Sequence, residues 1–172
     1  MSASSPPQIF DRRLLRARLE RAMARGPADF LLARVAEDLA ERASLAQRDF
    51  RSILDLGTPG PHLTQALRAA RPQAEVVHLA PIAASRAPDP SRVEDIETAE
   101  LDAERHDLIV SALALHFVDD LPGLLARARR ALKPDGLMLA ALVGGRSRHA
   151  LLGALAQAED ETRGGASPRV AP

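Results

Sequence analysis

Apolar residues recur at helical intervals in the first third of the chain and predict two helices ahead of the first strand. The first helix is rich in arginine, and its apolar positions are Leu14, Leu15, Leu19 and Met23. It ends at Gly26-Pro27, and Asp29 can cap a second helix that extends through about Gln47. The simpler interpretation of the first helix is a solvated helix packed on the domain, and the alternative is a lid or a partner-binding helix.

Beyond residue 50, short apolar runs alternate with amphipathic stretches. Predicted strands cover residues 51–56, 75–79, 92–96, 107–112 and 137–143, and predicted helices cover 63–70, 121–132 and about 147–161. Residues 133–136 predict a turn, and the strand that follows is apolar almost throughout, as in strands buried on both faces. Strands that alternate with helices predict a mostly parallel sheet with right-handed crossovers, and therefore an α/β Rossmann-like fold.

The same pattern predicts the domain organisation. Residues 1–8 are rich in serine and proline, and we expect them to be disordered. Residues 9–172 suit a single domain, with N-terminal helices over 9–47, a Rossmann-like core over 51–143 and a C-terminal helix and tail over 147–172. Residues 83–91 are rich in proline and alanine where a regular alternation would place a helix.

Composition excludes several classes of function. Basic and acidic side chains number 23 each, so we expect neither nucleic acid nor an anionic membrane as a partner. The chain has no cysteine, which suits a reducing cytoplasm, and no apolar run approaches the roughly 18 residues of a membrane span. Its five histidines lack metal-ligand spacing, so we expect no metal site.

Ligands of open parallel sheets bind beyond the carboxyl ends of the strands, which directs attention to the stretch ILDLGTPGPHL after the first strand. Only Gly57 and Gly60 remain there of a glycine-rich turn. Their spacing alone is a weak signal, because a plain strand-to-helix turn explains it equally well.

Longer segments are more specific. DLG ends the first strand, Asp95-Ile96 follows the third, and DLIVSALALHFVDDLPGLLARARRALKPDGLMLAALVGG runs from the fourth strand through the fifth. Together with IFDRRLLRAR and AEDETRGGASPRVAP, these segments resemble the class I S-adenosylmethionine-dependent methyltransferases. Within that family they are similar to the branch of mitochondrial complex I assembly factor 5 and of the malonyl-acyl carrier protein methyltransferase of biotin synthesis.

The resemblance implies S-adenosylmethionine as the cofactor and a set of residues that hold it. By position, the methionine and ribose portions would meet the first loop and the end of the second strand, the adenine would meet the acid after the third strand, and the methyl-transfer side would be lined by the end of the fourth strand. The implied cofactor residues are Asp55, Gly57, Gly60, His78, Asp95, Ile96, Ser111, Ala112 and Leu113. The resemblance identifies no catalytic residue, and His116 is a weak candidate for proton handling that is more simply a structural histidine.

Three residues depart from the family pattern. Pro59 and Pro61 stand where glycines are expected, and proline offers no N–H and fixes φ near −65°. His78 stands where an acid would bridge the ribose hydroxyls, and a lost charge-assisted hydrogen bond costs roughly 1.5–3 kcal/mol. We therefore expect weakened cofactor binding.

Two functions remain open from the sequence. The first is a methyltransferase-like enzyme that acts on a small molecule, an acyl-carrier-bound carboxyl group or a protein. The second is a non-catalytic assembly or interaction module, or a truncated pseudoenzyme, because a chain that stops at Pro172 would leave strand 137–143 as a bare edge open to a protein partner.

Asp119 and Asp120 directly precede the helix predicted over 121–132. They are more simply caps of that helix than a pair of catalytic acids.

Overall fold

The computed structural model describes residues 8–82, 90–144, 147 and 149–165. The helices are α1 (Arg12–Arg25), α2 (Phe30–Leu45), α3 (His62–Ala70), α4 (Leu121–Ala131) and α5 (His149–Arg163). The strands are β1 (Ser52–Leu56), β2 (Glu75–Ala80), β3 (Ser91–Val93), β4 (His106–Ala112) and β5 (Leu132–Ala141), and a short 3-10 helix covers Leu115–Phe117. The segments predicted to be disordered or irregular, 1–8 and 83–91, lie almost wholly outside the described residues.

The five strands form one sheet in the order β3-β2-β1-β4-β5, and every pair is parallel. This confirms the predicted α/β Rossmann-like class. Alternate residues of β1 point to opposite faces. Ile53 packs with α2 and α3 on one side, while Leu54 and Leu56 pack with α4 on the other. The carboxyl ends of β1, β2 and β4 therefore meet at one edge of a three-layer unit.

The predicted turn at 133–136 is a bulge within β5. Leu132 pairs with His106 and Leu137 pairs with Leu108, so four residues of β5 stand opposite Asp107 alone. Lys133 Nζ contacts Asp107 Oδ1 at 2.9 Å, and Asp135 adopts a φ of +66°. Proline, aspartate and glycine in a row indicate a chain reversal by sequence, but here the extra residues loop out while the strand resumes in the same direction.

β5 is also less buried than its apolar sequence predicted. Within the described chain it pairs with β4 alone, and its residues from Leu137 to Ala141 are half-buried or exposed. An edge strand is covered on one flank only, and that position in the sheet cannot be read from a continuous apolar run.

Of the three aspartates predicted to cap helices, Asp120 does so, whereas Asp119 and Asp29 have other partners. Asp120 caps α4 by accepting a hydrogen bond from Gly123 N at 2.9 Å, as expected. Asp119 instead accepts from the backbone amides of Ile9 and Phe10 at 2.8 and 3.0 Å. The Asp29 carboxylate makes no hydrogen bond to the α2 amides and lies 2.7 Å from His62 Nε2.

The chain divides into two compact units, residues 1–142 and 143–172. The first contains the sheet and α1 to α4, and the second contains α5. The single domain over 9–172 therefore stays a prediction. No helix within the described ranges is long and apolar enough to cross a bilayer.

Candidate functional site

The loop from β1 to α3 depends on a glycine at its first position. Gly57 has a φ of +77°, a conformation that L side chains rarely adopt. A Cβ at this position would lie 2.9 Å from Ile96 Cγ2 and 3.4 Å from Ala114 Cβ. The Gly57 amide also donates to Leu79 O at 2.8 Å, which ties the loop to the end of β2. Gly57 therefore sits at a close approach of three segments, where the sequence placed a cofactor contact.

Two of the residues implied as cofactor contacts, Asp55 and His78, lie beneath this loop. Both are fully buried, so neither side chain reaches the surface in this structure. Thr64 Oγ1 donates to Asp55 Oδ2 at 2.7 Å, and His78 Nε2 lies 2.9 Å from the carbonyl oxygen of Thr58. Because a carbonyl only accepts, Nε2 carries the imidazole hydrogen.

The buried pair carries unusual electrostatics. Burial raises the pKa of Asp55 above its ordinary value, although His78 and the hydroxyls of Thr58 and Thr64 partly oppose the shift. His78 Nε2 lies 3.9 Å from Asp55 Oδ2. Asp55 Oδ1 and His78 Nδ1 have no hydrogen-bond partner within the described part of the chain. The pair supports the loop from below, and its contact with a cofactor stays a prediction.

The end of β4 continues this buried support and then reaches the surface. Ser111 Oγ donates to Leu56 O at 2.7 Å, and the Ala112 amide donates to Thr58 Oγ1 at 3.0 Å. Both Ser111 and Ala112 are buried. Leu113 comes next with a φ of +53°, and it lines a small cavity together with Gly57. Of the three residues implied at this strand end, Leu113 is the one at the cavity.

Asp95, the acid implied for adenine, is held by an arginine that the sequence did not single out. Arg12 Nε donates to Asp95 Oδ2 at 2.7 Å, and Arg12 Nη2 donates to Asp95 Oδ1. Arg12 Nη1 donates to the carbonyl oxygen of Phe117 at 2.5 Å and lies 3.8 Å from Glu97 Oε2. Burial raises the pKa of the Asp95 carboxyl, but the hydrogen bonds from Arg12 and the Glu97 amide bring it below its ordinary value.

The small cavity lies between α1 and the residues that follow β1, β3 and β4. It measures about 30 Å³. Gly57, Ile96 and Leu113 contribute from the sheet side, while Arg12, Leu15 and Leu19 contribute from α1. Three of the implied cofactor residues thus face one space, and Asp95 borders it through Arg12.

A second cavity of about 640 Å³ lies on the other side of Leu19 and Pro59, which line both spaces. Gly60 lines this larger cavity, with a φ of +87°. Its walls are largely apolar, and the His62 and Asp29 pair is among its few polar groups. Gly60 is therefore separated from the other implied cofactor residues by one layer of side chains.

The catalytic candidate His116 lies in the 3-10 helix after β4, where its ring contacts Phe117 at a centroid distance of 4.2 Å. Its proton-handling role stays a prediction. Arg12 and Thr58 are the residues of this site that sequence reasoning did not assign to the cofactor. Arg12 is one of many arginines in α1, and its partner Asp95 is 83 residues away, so no local pattern marks it.

Comparison with known families gives a consistent assignment of fold. A family described as a methyltransferase domain matches residues 15–167. The mitochondrial arginine-hydroxylase NDUFAF5 of Homo sapiens is 34% identical over 95% of this chain and 50% of that protein. The malonyl-acyl-carrier protein O-methyltransferase of Halorhodospira halophila is 32% identical over 91% of this chain and 57% of that protein. The chain spans about half the length of these relatives.

Solved structures show the same architecture. The plantazolicin methyltransferase BpumL in complex with SAH superposes with a TM-score of 0.61 at 14% identity, over 80% of this chain and 56% of that one. A putative methyltransferase of Haloferax volcanii, in complex with the Trm112 methyltransferase activator, gives a TM-score of 0.56 at 22% identity, over 74% of this chain and 59% of that one. At these identities the likeness shows the fold alone.

Proposed function

Because the chain belongs to the methyltransferase domain family, whose cofactor is S-adenosylmethionine, we propose that it binds this cofactor at the carboxyl ends of β1, β2 and β4 and transfers its methyl group to an acceptor. One observation carries the proposal. Gly57, Ile96 and Leu113 converge from three loops on a single cavity at the edge of the sheet where ligands of such folds bind.

The sheet side of this cavity fits the cofactor. Gly57 lines the cavity without a side chain of its own, so that a ligand could approach its backbone closely, and Asp95 offers a carboxylate beside the cavity. Pro59 lacks the N–H that a glycine would supply there. A space of about 30 Å³ is far below the roughly 300 Å³ of a small-molecule site, and Arg12, Leu15 and Leu19 of α1 form one of its walls.

When bound, the cofactor supplies an electrophilic methyl group on a sulfonium centre. The contribution of this chain is positioning and exclusion of water. Leu15, Leu19 and Leu113 give the cavity apolar walls, and the buried Thr58 and Ser111 fix the ends of β1 and β4 relative to one another.

The first test is calorimetric titration with S-adenosylhomocysteine. We expect saturable heat with a dissociation constant below about 1 mM, which corresponds to roughly 4 kcal/mol of binding free energy. The matched variants are Gly57→Ala and Gly164→Ala, because both glycines have a positive φ but Gly164 has open space around its Cβ and lines neither cavity. Binding should be lost in Gly57→Ala and kept in Gly164→Ala. Absence of heat at millimolar ligand from the unmodified chain and from every variant of this cavity alike contradicts the proposal.

The two prolines of the loop give a second test of placement. Pro59 lines the small cavity, so Pro59→Gly should restore an amide donor and tighten S-adenosylhomocysteine binding about tenfold. Pro61 lines only the larger of the two cavities and precedes α3, which makes Pro61→Gly the control. Equal effects of the two changes would show that the cofactor does not lie along the Pro59 side.

The acceptor is the least constrained part of the proposal. The relatives carry names that indicate hydroxylation of arginine and O-methylation of an acyl-carrier-bound malonyl group. Transfer of label from methyl-labelled S-adenosylmethionine should therefore be measured on malonyl-acyl carrier protein and on an arginine peptide side by side.

We also propose a cytoplasmic location, which the absence of cysteine supports.

The edge strand β5 supports a second candidate, a protein-interaction role. Its outer flank pairs with no strand in the part of the chain that is described, and Leu142 beside it is exposed. A strand supplied by a protein partner, or by further sequence of the same protein, would complete this edge by backbone hydrogen bonds. Leu142→Asp places a charge beside this edge and should weaken capture of a protein partner by the tagged chain, and an unchanged yield of that partner would contradict the role.

A further inference from the structure

Helix α1 occupies the side of the small cavity that faces away from the sheet. Its first turn carries Arg12, whose guanidinium spans both oxygens of Asp95 and the carbonyl oxygen of Phe117. One turn and two turns later, Leu15 and Leu19 close the same cavity. The group expected to recognise the nucleoside end of the cofactor is thus already bound by the chain itself.

We propose that α1 is a lid on the cofactor site and that Arg12 is its latch, so that Asp95 binds either Arg12 or the nucleoside of the cofactor. The proposal rests on the proposed function and adds how access to that site is controlled. Asp95 Oδ1 also accepts from the Glu97 amide at 3.0 Å, so both oxygens are engaged while Arg12 is in place. A ligand that needs both oxygens of this carboxylate therefore competes with Arg12 for them.

The attachment of α1 is concentrated at its start. Ile9 and Phe10 bind Asp119 through their amides, and the rings of Phe10 and Phe117 meet edge-to-face at a centroid distance of 5.9 Å. The helix itself buries no side chain completely. Release of these contacts would leave the helix held by its partly buried apolar residues Leu15, Leu19 and Met23.

The other end of α1 has the features of a pivot. Gly26 ends the helix with a φ of +82°, and nothing lies within 4 Å of the position of its Cβ. The residues that follow, 27–29, form a short connection to α2 without helix or strand structure. Hinges are typically a few residues at the end of an element, so we place the swing of the lid here.

A latch lowers the fraction of molecules that are open to the cofactor, and the apparent affinity falls with that fraction. Arg12→Ala should therefore tighten S-adenosylhomocysteine binding about tenfold, which is the size expected for the loss of a competing charge-assisted contact. The matched control is Arg16→Ala. It removes the same charge from the same helix and breaks an exposed pair with Glu20 at 3.0 Å, remote from Asp95.

Hydrogen exchange tests the latch without any ligand. The α1 amides should exchange faster in Arg12→Ala than in Arg16→Ala or the unmodified chain, and S-adenosylhomocysteine should speed their exchange in the unmodified chain as the lid opens. Arg12→Lys keeps the charge but not the two-pronged contact, so its affinity should fall between those of the unmodified chain and Arg12→Ala.

The outcomes separate the two proposals. Binding by the unmodified chain with equal or weaker binding by Arg12→Ala overturns the latch and leaves the proposed function intact. Absence of binding in every variant, including Arg12→Ala, overturns both. Binding in Arg12→Ala alone supports both, because it shows a site that the latch had closed.

Discussion

Asp55 and Asp95 are two acids that the sequence placed in one cofactor site, yet the structure gives them opposite environments. Asp55 is sealed under the first loop with Thr64 and His78, and burial raises the pKa of its carboxyl. Asp95 is 32% exposed at the mouth of the site, and Arg12 helps to bring its pKa below the ordinary value. One carboxyl group supports the loop, and the other is available for exchange between partners.

The difference shows that position after a strand does not by itself decide what an acid does. β1 is central and β3 lies at an edge of the sheet, so a residue at the end of β1 is covered from more sides. Burial turns Asp55 towards internal hydrogen bonds, whereas Asp95 keeps enough contact with solvent to accept a mobile partner. The two acids can therefore be separated by stability and by pH.

The largest effect is expected at Gly57, the residue between the buried and the exposed acid. Gly57→Ala should lower the free energy of unfolding by about 3 kcal/mol, because a positive φ and a contact of 2.9 Å with Ile96 act together. Gly26→Ala shares the positive φ without the contact and should cost about 1–2 kcal/mol. Urea denaturation of both variants measures the difference, and equal losses would show that Ile96 yields without cost.

The next effect compares the two acids directly. Asp55→Ala should lower the free energy of unfolding by about 2 kcal/mol, because Thr64 and His78 lose a buried partner. Asp95→Ala should cost less than about 1 kcal/mol, as expected of a partly exposed ion pair. The same denaturation experiment decides between them, and a larger loss at Asp95 would reverse the comparison.

The pH dependence of Asp55 should run against that of an ordinary carboxyl group. A folded pKa above the unfolded value stabilises the protein below the unfolded pKa, near 4, and this contribution is lost as pH rises through the folded pKa. Asn cannot ionise, so Asp55→Asn does not lose stability as pH rises through this range. Its free energy of unfolding, relative to the unmodified chain, should therefore increase between pH 4 and pH 8, and a flat difference would show that Asp55 ionises freely.

The smallest expected effect is at Asp95, whose contribution to the free energy of unfolding should depend on pH in the opposite direction. Its folded pKa lies below the unfolded value, so its contribution is present at neutral pH and is lost as pH falls through the folded pKa. Asp95→Asn should be less stable than the unmodified chain at pH 7, by under about 1 kcal/mol, and the two should converge in acid. A difference that persists at pH 3 would mean that the carboxyl acts through shape rather than charge.

The sequence was sufficient for the order of the elements because strand and helix periods differ so strongly between 51 and 132. The prediction of a turn at 133–136 was wrong, since Pro134-Asp135-Gly136 has the composition of a turn whether or not the chain reverses. The sequence also overestimated the burial of β5, because an apolar run at the edge of a sheet looks the same as one at the centre.

The candidate site was predictable where one residue type is needed for a local reason. Gly57 is such a residue, since the turn requires its φ. The pairing of Arg12 with Asp95 was not predictable, because any arginine of α1 could have reached the sheet and only the packing of the helix selects one. The sequence left open whether α1 is a lid or a solvated helix, and the contact of Arg12 with Asp95 makes the lid the interpretation we favour.

The anchoring of the chain's beginning on Asp119 has a consequence for its synthesis. The amides of Ile9 and Phe10 find their partner 110 and 109 residues later. A ribosome needs roughly 5–20 s to add that much chain, so the first helix to emerge is among the last to dock. Until then Leu15 and Leu19 remain uncovered, and the nascent protein carries leucines among arginines that chaperones can recognise.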